Sequence, residues 1–237
     1  MSSCWSPLRT VAQTQVNGWR VELDPNRPAQ GLVISKLRGP RWEAMSIQPL
    51  PSHTMVAEEI YIRQQDLIVR FGQAPQDQYG FQIDWRILDP LPSFRVGVEV
   101  WISIQTQLLD TAPSVSVASR SDSAWTAWSH RDLADKAKSS TGQLGSTGLL
   151  EHPAAWSSQI GGTSCLWLID PRDQSQLTWR SAPSDTVQQA DLFGDFLEKG
   201  VIRRARMQLW VGPKNIQPKQ VQRVYQQLMD RNLPLTA

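Results

Sequence analysis

The segment Phe94-Arg95-Val96-Gly97-Val98-Glu99-Val100-Trp101-Ile102-Ser103-Ile104-Gln105 decides the fold of this chain. Every second residue from Phe94 to Ile104 is apolar, and the residues between them are Arg, Gly, Glu, Trp and Ser. Because successive side chains of a strand point to opposite faces, this pattern predicts a long strand with one face on a core.

Similar but shorter runs recur along most of the chain. The runs with strand-like spacing lie at 19–23, 32–37, 60–62, 67–71, 81–87, 115–117, 164–169 and 204–211. Turn residues rather than helical segments separate them, so the sequence predicts an all-β fold, a large antiparallel β-sandwich. In 164–169 both parities are apolar, which indicates a strand covered on both faces.

The end of the chain changes period. The apolar residues there follow helical spacing, and Pro218 stands where a helix can begin: Val221, Val224, Tyr225, Leu228 and Met229. We expect an amphipathic helix at about 218–231, on a single β domain spanning 17–237, with residues 1–16 as an N-terminal tail. Between about 119 and 163 the periodicity fails, which leaves two interpretations: a long loop, or strands joined by irregular excursions.

Composition sets wide bounds on function. The 237 residues are 40% apolar and 19% charged, with a net charge of +2, which is enough hydrophobe for a substantial core. The basic residues are mostly scattered, so a nucleic-acid partner is not expected. We expect no membrane association and a cytoplasmic location, because no apolar stretch approaches a membrane span and the start lacks a signal pattern. A buried free thiol is the expected state of Cys165.

No cofactor or metal motif stands out in the sequence. Three His and two Cys have no short spacing between them, which argues against a dedicated zinc site. No glycine-rich phosphate loop follows a strand.

Two segments near the start carry a family resemblance. Val21-Glu22-Leu23-Asp24-Pro25 and Gly31-Leu32-Val33-Ile34-Ser35-Lys36-Leu37 resemble the strand–turn–strand opening of supersandwich domains. These include galactose-mutarotase-like proteins and the β domains of several polysaccharide lyases and glycoside hydrolases. The segments 59–67, 82–86 and 200–206 are similar to a bacterial family of such domains. The resemblance implies the fold and a carbohydrate context. It carries over no catalytic residue, since no motif places the mutarotase histidines on His53, His130 or His152.

The predicted ligand site is one polar sheet face. Alternation puts Gln82, Asp84 and Arg86 on one side of their strand, and puts Trp101 on the polar side of the next strand. Sequential strands are usually neighbours, so both polar faces should form one surface, with Trp125 or Trp128 at its rim. An aromatic plane beside a carboxylate and a guanidinium suits a neutral saccharide, through stacking and hydrogen bonds.

Other interpretations remain open. The polar residues can be an ordinary solvent face, and the Trp residues can plug sheet edges. His152, next to Glu151, is the best acid/base candidate, so a sugar epimerase or lyase-like enzyme using His152 or His130 is the main rival. A third possibility is a structural module whose Trp-bearing face docks a protein partner. The favoured interpretation is a non-catalytic carbohydrate-binding β-sandwich without a cofactor.

Overall fold

A computed structural model describes residues 4–8, 10–36, 39, 41–121, 123, 125–129, 133, 142–143, 153–160, 162–182 and 185–231. The first strands are β1 (Ser6–Leu8), β2 (Val11–Val16), β3 (Trp19–Leu23), β4 (Leu32–Lys36), β5 (Arg41–Ala44), β6 (Ser46–Leu50), β7 (Ala57–Arg63), β8 (Asp66–Phe71) and β9 (Gly80–Leu88). The remaining elements are β10 (Val96–Gln105), β11 (Ser114–Ser121), β12 (Thr126–Ser129), β13 (Gly142–Gln143), β14 (Pro153–Ile160), β15 (Thr163–Ile169), β16 (Gln174–Ala182), β17 (Asp185–Phe193), β18 (Ile202–Gly212) and the C-terminal helix α1 (Pro218–Asp230).

These strands form three antiparallel sheets, which confirms the predicted all-β sandwich. The largest has nine strands in the order β13-β12-β14-β15-β18-β10-β9-β8-β7. The others have the orders β1-β2-β3-β4-β5 and β16-β17-β11-β6. The deciding strand, β10, lies inside the nine-stranded sheet between β9 and β18, so both of its edges are paired.

The main core joins all three sheets. The alternating apolar side chains of β10, from Val96 to Ile104, are no more than 1% exposed and belong to one buried cluster. The same cluster contains Val21 of the five-stranded sheet and Val117 of the four-stranded sheet. We call the side of the nine-stranded sheet that packs into this cluster its inner face, and the opposite side its outer face.

The sequence interpretation was wrong about the N-terminal tail. Residues 6–8 and 11–16 form β1 and β2 of the five-stranded sheet. Trp5 is 3% exposed, and its indole Nε1 donates a hydrogen bond of 2.9 Å to the carbonyl of Trp85. The start of the chain therefore contributes to the core.

The region without periodicity contains strands. β12, β13 and β14 lie within it, and all belong to the nine-stranded sheet. In β14, Ala154, Ala155 and Trp156 are all buried, so both faces are covered and no alternation exists to be detected. No prediction covered β16 and β17, which complete the four-stranded sheet.

The helix α1 covers one half of the outer face. Its buried side chains Val221, Val224 and Leu228 share a second apolar cluster with Leu168 of β15 and Trp210 of β18. Pro218 is the first helical residue, as predicted, and the Gln217 amide donates 2.7 Å to Oε1 of Gln220. We call this part of the outer face the covered half.

Gly97 allows the close packing of the covered half. A β-carbon at this position would lie 2.4 Å from the Trp210 ring, which sits directly across the ladder from it. Trp210 therefore occupies the space that any larger residue at position 97 would need.

Candidate functional site

Five polar side chains lie together on another part of the outer face, and we call this part the open half: Gln82, Asp84 and Arg86 of β9, Ser103 of β10 and Arg204 of β18. The register sets Gln82 opposite Ser103, and Ser103 opposite Arg204. The predicted step that joins the polar faces of β9 and β10 into one surface is therefore confirmed by the strand pairing.

Side-chain contacts order the open half. Arg86 donates two hydrogen bonds to the Asp66 carboxylate, from Nε at 2.6 Å and from Nη2 at 2.8 Å. Gln82 Nε2 donates 2.7 Å to Asp84 Oδ1. Arg204 Nε donates 3.1 Å to Ser103 Oγ. Arg86, Ser103 and Arg204 thus form hydrogen bonds with side chains on adjacent strands, which fixes their orientation.

Asp84 has an unusual environment in this face. Burial raises the pKa of Asp84 above its ordinary value, although the Gln82 hydrogen bond and the nearby Arg204 charge act in the opposite direction. The protonated form of this carboxyl is therefore more accessible than that of a surface aspartate.

A buried polar network separates the two halves. Glu99, 1% exposed, accepts hydrogen bonds from Trp101 Nε1 at 3.2 Å and from Gln208 Nε2 at 2.7 Å. Its carboxylate also accepts from Nη1 of Arg231, which follows α1, at 3.1 Å to each oxygen. The network therefore ties the end of the helix to β10.

Arg206 is the second buried charge of this boundary. Its side chain is fully buried, its Nη2 donates 2.9 Å to Asp170 Oδ2, and its guanidinium lies 5.4 Å from the centre of the Trp101 ring. Burial alone would raise the pKa of Asp170, but hydrogen bonds from Arg172 and Arg206 outweigh it and lower that pKa. Arg206 therefore forms an ion pair with Asp170 and a cation–π contact with Trp101, and its role is structural.

The prediction that three tryptophans are exposed at the ligand site is wrong. Trp101 is 7% exposed, Trp125 is 1% exposed and Trp128 is 3% exposed. Trp101 lies in the boundary network, Trp125 belongs to the main core, and Trp128 belongs to the cluster under α1. Alternation gives the face on which a side chain lies, but it does not show whether a helix or a charged side chain covers that face.

A cleft of about 400 Å³ opens at one end of the open half, and we call it the polar cleft. It crosses the nine-stranded sheet where β8 ends, β9 begins and β18 begins. Its polar lining side chains are Glu58, Arg70, Gln73, Gln82, Ser103, Gln105, Gln107 and Arg204. The sequence interpretation identified Gln82 but missed Gln73, Gln105 and Gln107, because Gln105 ends β10 and the other two lie in loops beyond the strands.

The loops around the polar cleft are held in place by hydrogen bonds. Gln73 Oε1 accepts 2.8 Å from the backbone amide of Gln107, and Gln73 Nε2 donates 3.1 Å to the carbonyl of Asp77. The first bond links the loops that follow β8 and β10, and the second lies within the loop after β8, so both restrain the shape of the cleft.

His53, the histidine within the described residues, does not place an acid or base in this cleft. His53 Nε2 lies 3.4 Å from Asp77 Oδ2, but the two side chains are 2% and 1% exposed, and the imidazole packs edge-on against Phe81 of the main core. His130 and His152 lie outside the described residues. In the described part of the chain, no group of three His, Cys, Asp or Glu could hold a metal ion.

Comparisons with known proteins show the fold. No family model and no curated protein matches the chain. A solved structure from Klebsiella pneumoniae subsp. pneumoniae, provisionally named an aldose 1-epimerase, is similar with a TM-score of 0.54 and 10% identity, over 92% of this chain and 83% of that one. A 4-alpha-glucanotransferase from Thermococcus litoralis has a TM-score of 0.47 and 8% identity over 89% of this chain and 39% of its own.

A provisionally named kojibiose phosphorylase from the human microbiome has a TM-score of 0.46 and 8% identity over 96% of this chain and 32% of its own. Within the described residues, the helical segments are too short or too polar to cross a lipid bilayer. The Klebsiella likeness shows that this chain shares the fold of that protein, in agreement with the fold that the sequence resemblance implies.

Proposed function

We propose that this protein binds a carbohydrate in the polar cleft, without catalysing its conversion. The observation that carries the proposal is the lining of the cleft, in which amide, hydroxyl, carboxylate and guanidinium groups converge on about 400 Å³. Such a volume lies within the range of small-molecule sites, and the groups match the donors and acceptors of sugar hydroxyls. The sugar-related name of the Klebsiella protein gives the proposal a second support.

The mode of binding differs from the one that the sequence predicts. Trp101, Trp125 and Trp128 are buried, so stacking on an exposed indole is replaced by hydrogen bonding from amides and arginines. Gln82 is central to this mode, because its amide lines the cleft and is oriented by Asp84 behind it. Preformed donors reduce the entropy that a ligand must lose to order the site.

A glycan array followed by calorimetry tests the proposal. We expect the wild-type protein to bind a subset of the saccharides on the array. Gln82→Ala should weaken binding of the tightest of them about three- to tenfold, the effect of losing a hydrogen bond or two. Gln48→Ala is the matched control, since Gln48 is an exposed strand glutamine of the four-stranded sheet. The proposal is overturned if no saccharide on the array binds, or if Gln82→Ala binds the saccharides as tightly as wild type does.

The rival is a sugar epimerase or lyase-like enzyme that uses the open half, where Asp84 lies next to the cleft-lining residue Gln82. The raised pKa of Asp84 favours it, because a carboxyl with a raised pKa can act as a general acid. Polarimetry on freshly dissolved sugars, and absorbance of unsaturated products from uronate polymers, measure these two activities. Turnover that disappears in Asp84→Asn would favour the enzyme over the binding protein.

A further inference from the structure

The arginines of the nine-stranded sheet differ in how their charges are balanced. Arg86 forms a bidentate pair with Asp66, and Arg206 pairs with Asp170. Arg203, which points to the other side of β18, lies 3.4 Å from Asp195. Each of these guanidinium groups has a carboxylate partner that the fold supplies.

Arg204 has no such partner. Among the described residues its hydrogen bond goes from Nε to the neutral hydroxyl of Ser103, and no carboxylate oxygen lies within ion-pair distance. Because Nε of Arg204 donates to Ser103, both terminal nitrogens are left to bind two oxygens of one acid group. Ser103 therefore orients a guanidinium that faces the polar cleft.

The polar cleft is positively charged. Its charged lining groups are Arg70, Arg204 and Glu58, two cations and one anion. Glu58 lies 3.7 Å from Arg70 and offsets its charge, so Arg204 supplies the net positive charge of the lining. Asp84, the other acid near Arg204, stands outside the cleft lining and is bound to Gln82.

We infer that the ligand of the polar cleft is an acidic saccharide. Its carboxylate, phosphate or sulfate group binds Arg204, and Arg70 lines the same cleft. This inference rests on the proposed function and adds the chemical class of the sugar. The three acid groups share the same recognition by a guanidinium, so the probes must separate them.

Calorimetry with glucose, glucuronate, glucose 6-phosphate and glucose 6-sulfate tests the inference, together with the acidic and neutral members of the glycan array. We expect at least one acidic sugar to bind about tenfold more tightly than its neutral counterpart, as a charge-assisted hydrogen bond allows. Added salt should reduce that advantage, because the cleft is open to solvent. The acidic probe that binds identifies the acid group.

Variants show whether Arg204 is responsible. Arg204→Gln should weaken binding of the acidic sugar much more than binding of the neutral one, so that most of the acidic advantage is lost, and Arg70→Gln should reduce that advantage less. Arg95→Gln is the matched control, since Arg95 is exposed before β10, at the far end of that strand from Ser103. If Arg204→Gln does not fold, Arg70→Gln still tests the charge of the cleft, because Arg70 is half exposed.

The outcomes separate the two proposals. Binding of neutral glycans as tightly as acidic ones would overturn the acidic-saccharide inference and leave carbohydrate binding in place. Equal losses for neutral and acidic sugars in Arg204→Gln would also overturn it. If the protein binds no glycan at all, the proposed function itself is overturned.

Discussion

The covered and open halves of the outer face are built from the same strands with the same alternation, yet they differ in chemistry. On β18, Trp210 packs under α1, Arg206 lies at the boundary, and Arg204 faces the polar cleft. Moving six residues along one strand, from Trp210 to Arg204, thus passes from an apolar contact, through a buried ion pair, to a cation that has no carboxylate partner among the described residues. The comparison shows that the helix decides which part of a polar strand face is available to a ligand.

The strongest test of this comparison sets Arg206 against Arg204. Arg206→Leu should lower the free energy of unfolding by about 3 to 5 kcal/mol, because it leaves buried Asp170 without one of its partners. Arg204→Leu should change it by less than about 0.5 kcal/mol, since no folded-state ion pair is lost. Urea unfolding followed by Trp fluorescence measures both. Equal losses would show that the two arginines have the same structural role.

The second test removes a contact of the helix. Leu228 is fully buried against the covered half, and Leu228→Ala should cost about 3 kcal/mol through lost burial and the cavity it leaves. The neighbouring Gln227 is exposed, so Gln227→Ala is the control. A small cost for Leu228→Ala would mean that α1 contributes little to covering the sheet.

The third test compares one glycine from each half. Gly97→Ala should destabilise the protein by about 2 kcal/mol, because the new methyl group meets the Trp210 ring. At Gly72, a β-carbon would meet only the Glu58 carboxylate, the end of a flexible and half-exposed side chain. Gly72→Ala should therefore cost much less in a thermal melt while displacing Glu58 from the polar cleft. A larger loss for Gly72→Ala would contradict the assignment of rigid packing to the covered half.

The smallest expected effect concerns Asp173, whose carboxylate accepts 2.8 Å from the Arg206 amide. Burial raises the pKa of Asp173 to about 6, above an ordinary value of about 3.9. The folded protein then holds this proton more tightly than the unfolded chain, so stability falls as the pH rises from about 4 through about 6.

Asp173→Asn removes that dependence. We expect it to be more stable than wild type by about 1 kcal/mol at pH 7, with the difference vanishing near pH 4, when denaturant unfolding is measured across this range. The control Asp89→Asn makes the same charge change at an exposed site. A difference that grows toward low pH would show that the sign of the effect is wrong.

Alternation by itself determined the strands that have one polar face. β3, β4, β8, β9, β10 and β18 follow from it, and so does the joining of Gln82, Asp84 and Arg86 to the polar face of β10. Period 3.6 likewise determined α1. Strands covered on both faces, such as β14, give no such signal, and β1 and β2 lie in the segment that the sequence predicts to be an N-terminal tail.

Only the tertiary structure decided which polar-face residues are accessible. The sequence places Trp101 beside polar residues, but it is buried by contacts with Glu99 of the same strand and with Arg206, which is far away in sequence and lies opposite it on β18. The polar cleft is likewise assembled from β7, β8, β9, β10 and β18, whose residues span positions 58 to 204 of the chain. Local periodicity reports the direction of a side chain relative to its own strand. Burial and the balance of charge depend on what other segments place against that strand, and folding brings those segments together from far apart in sequence.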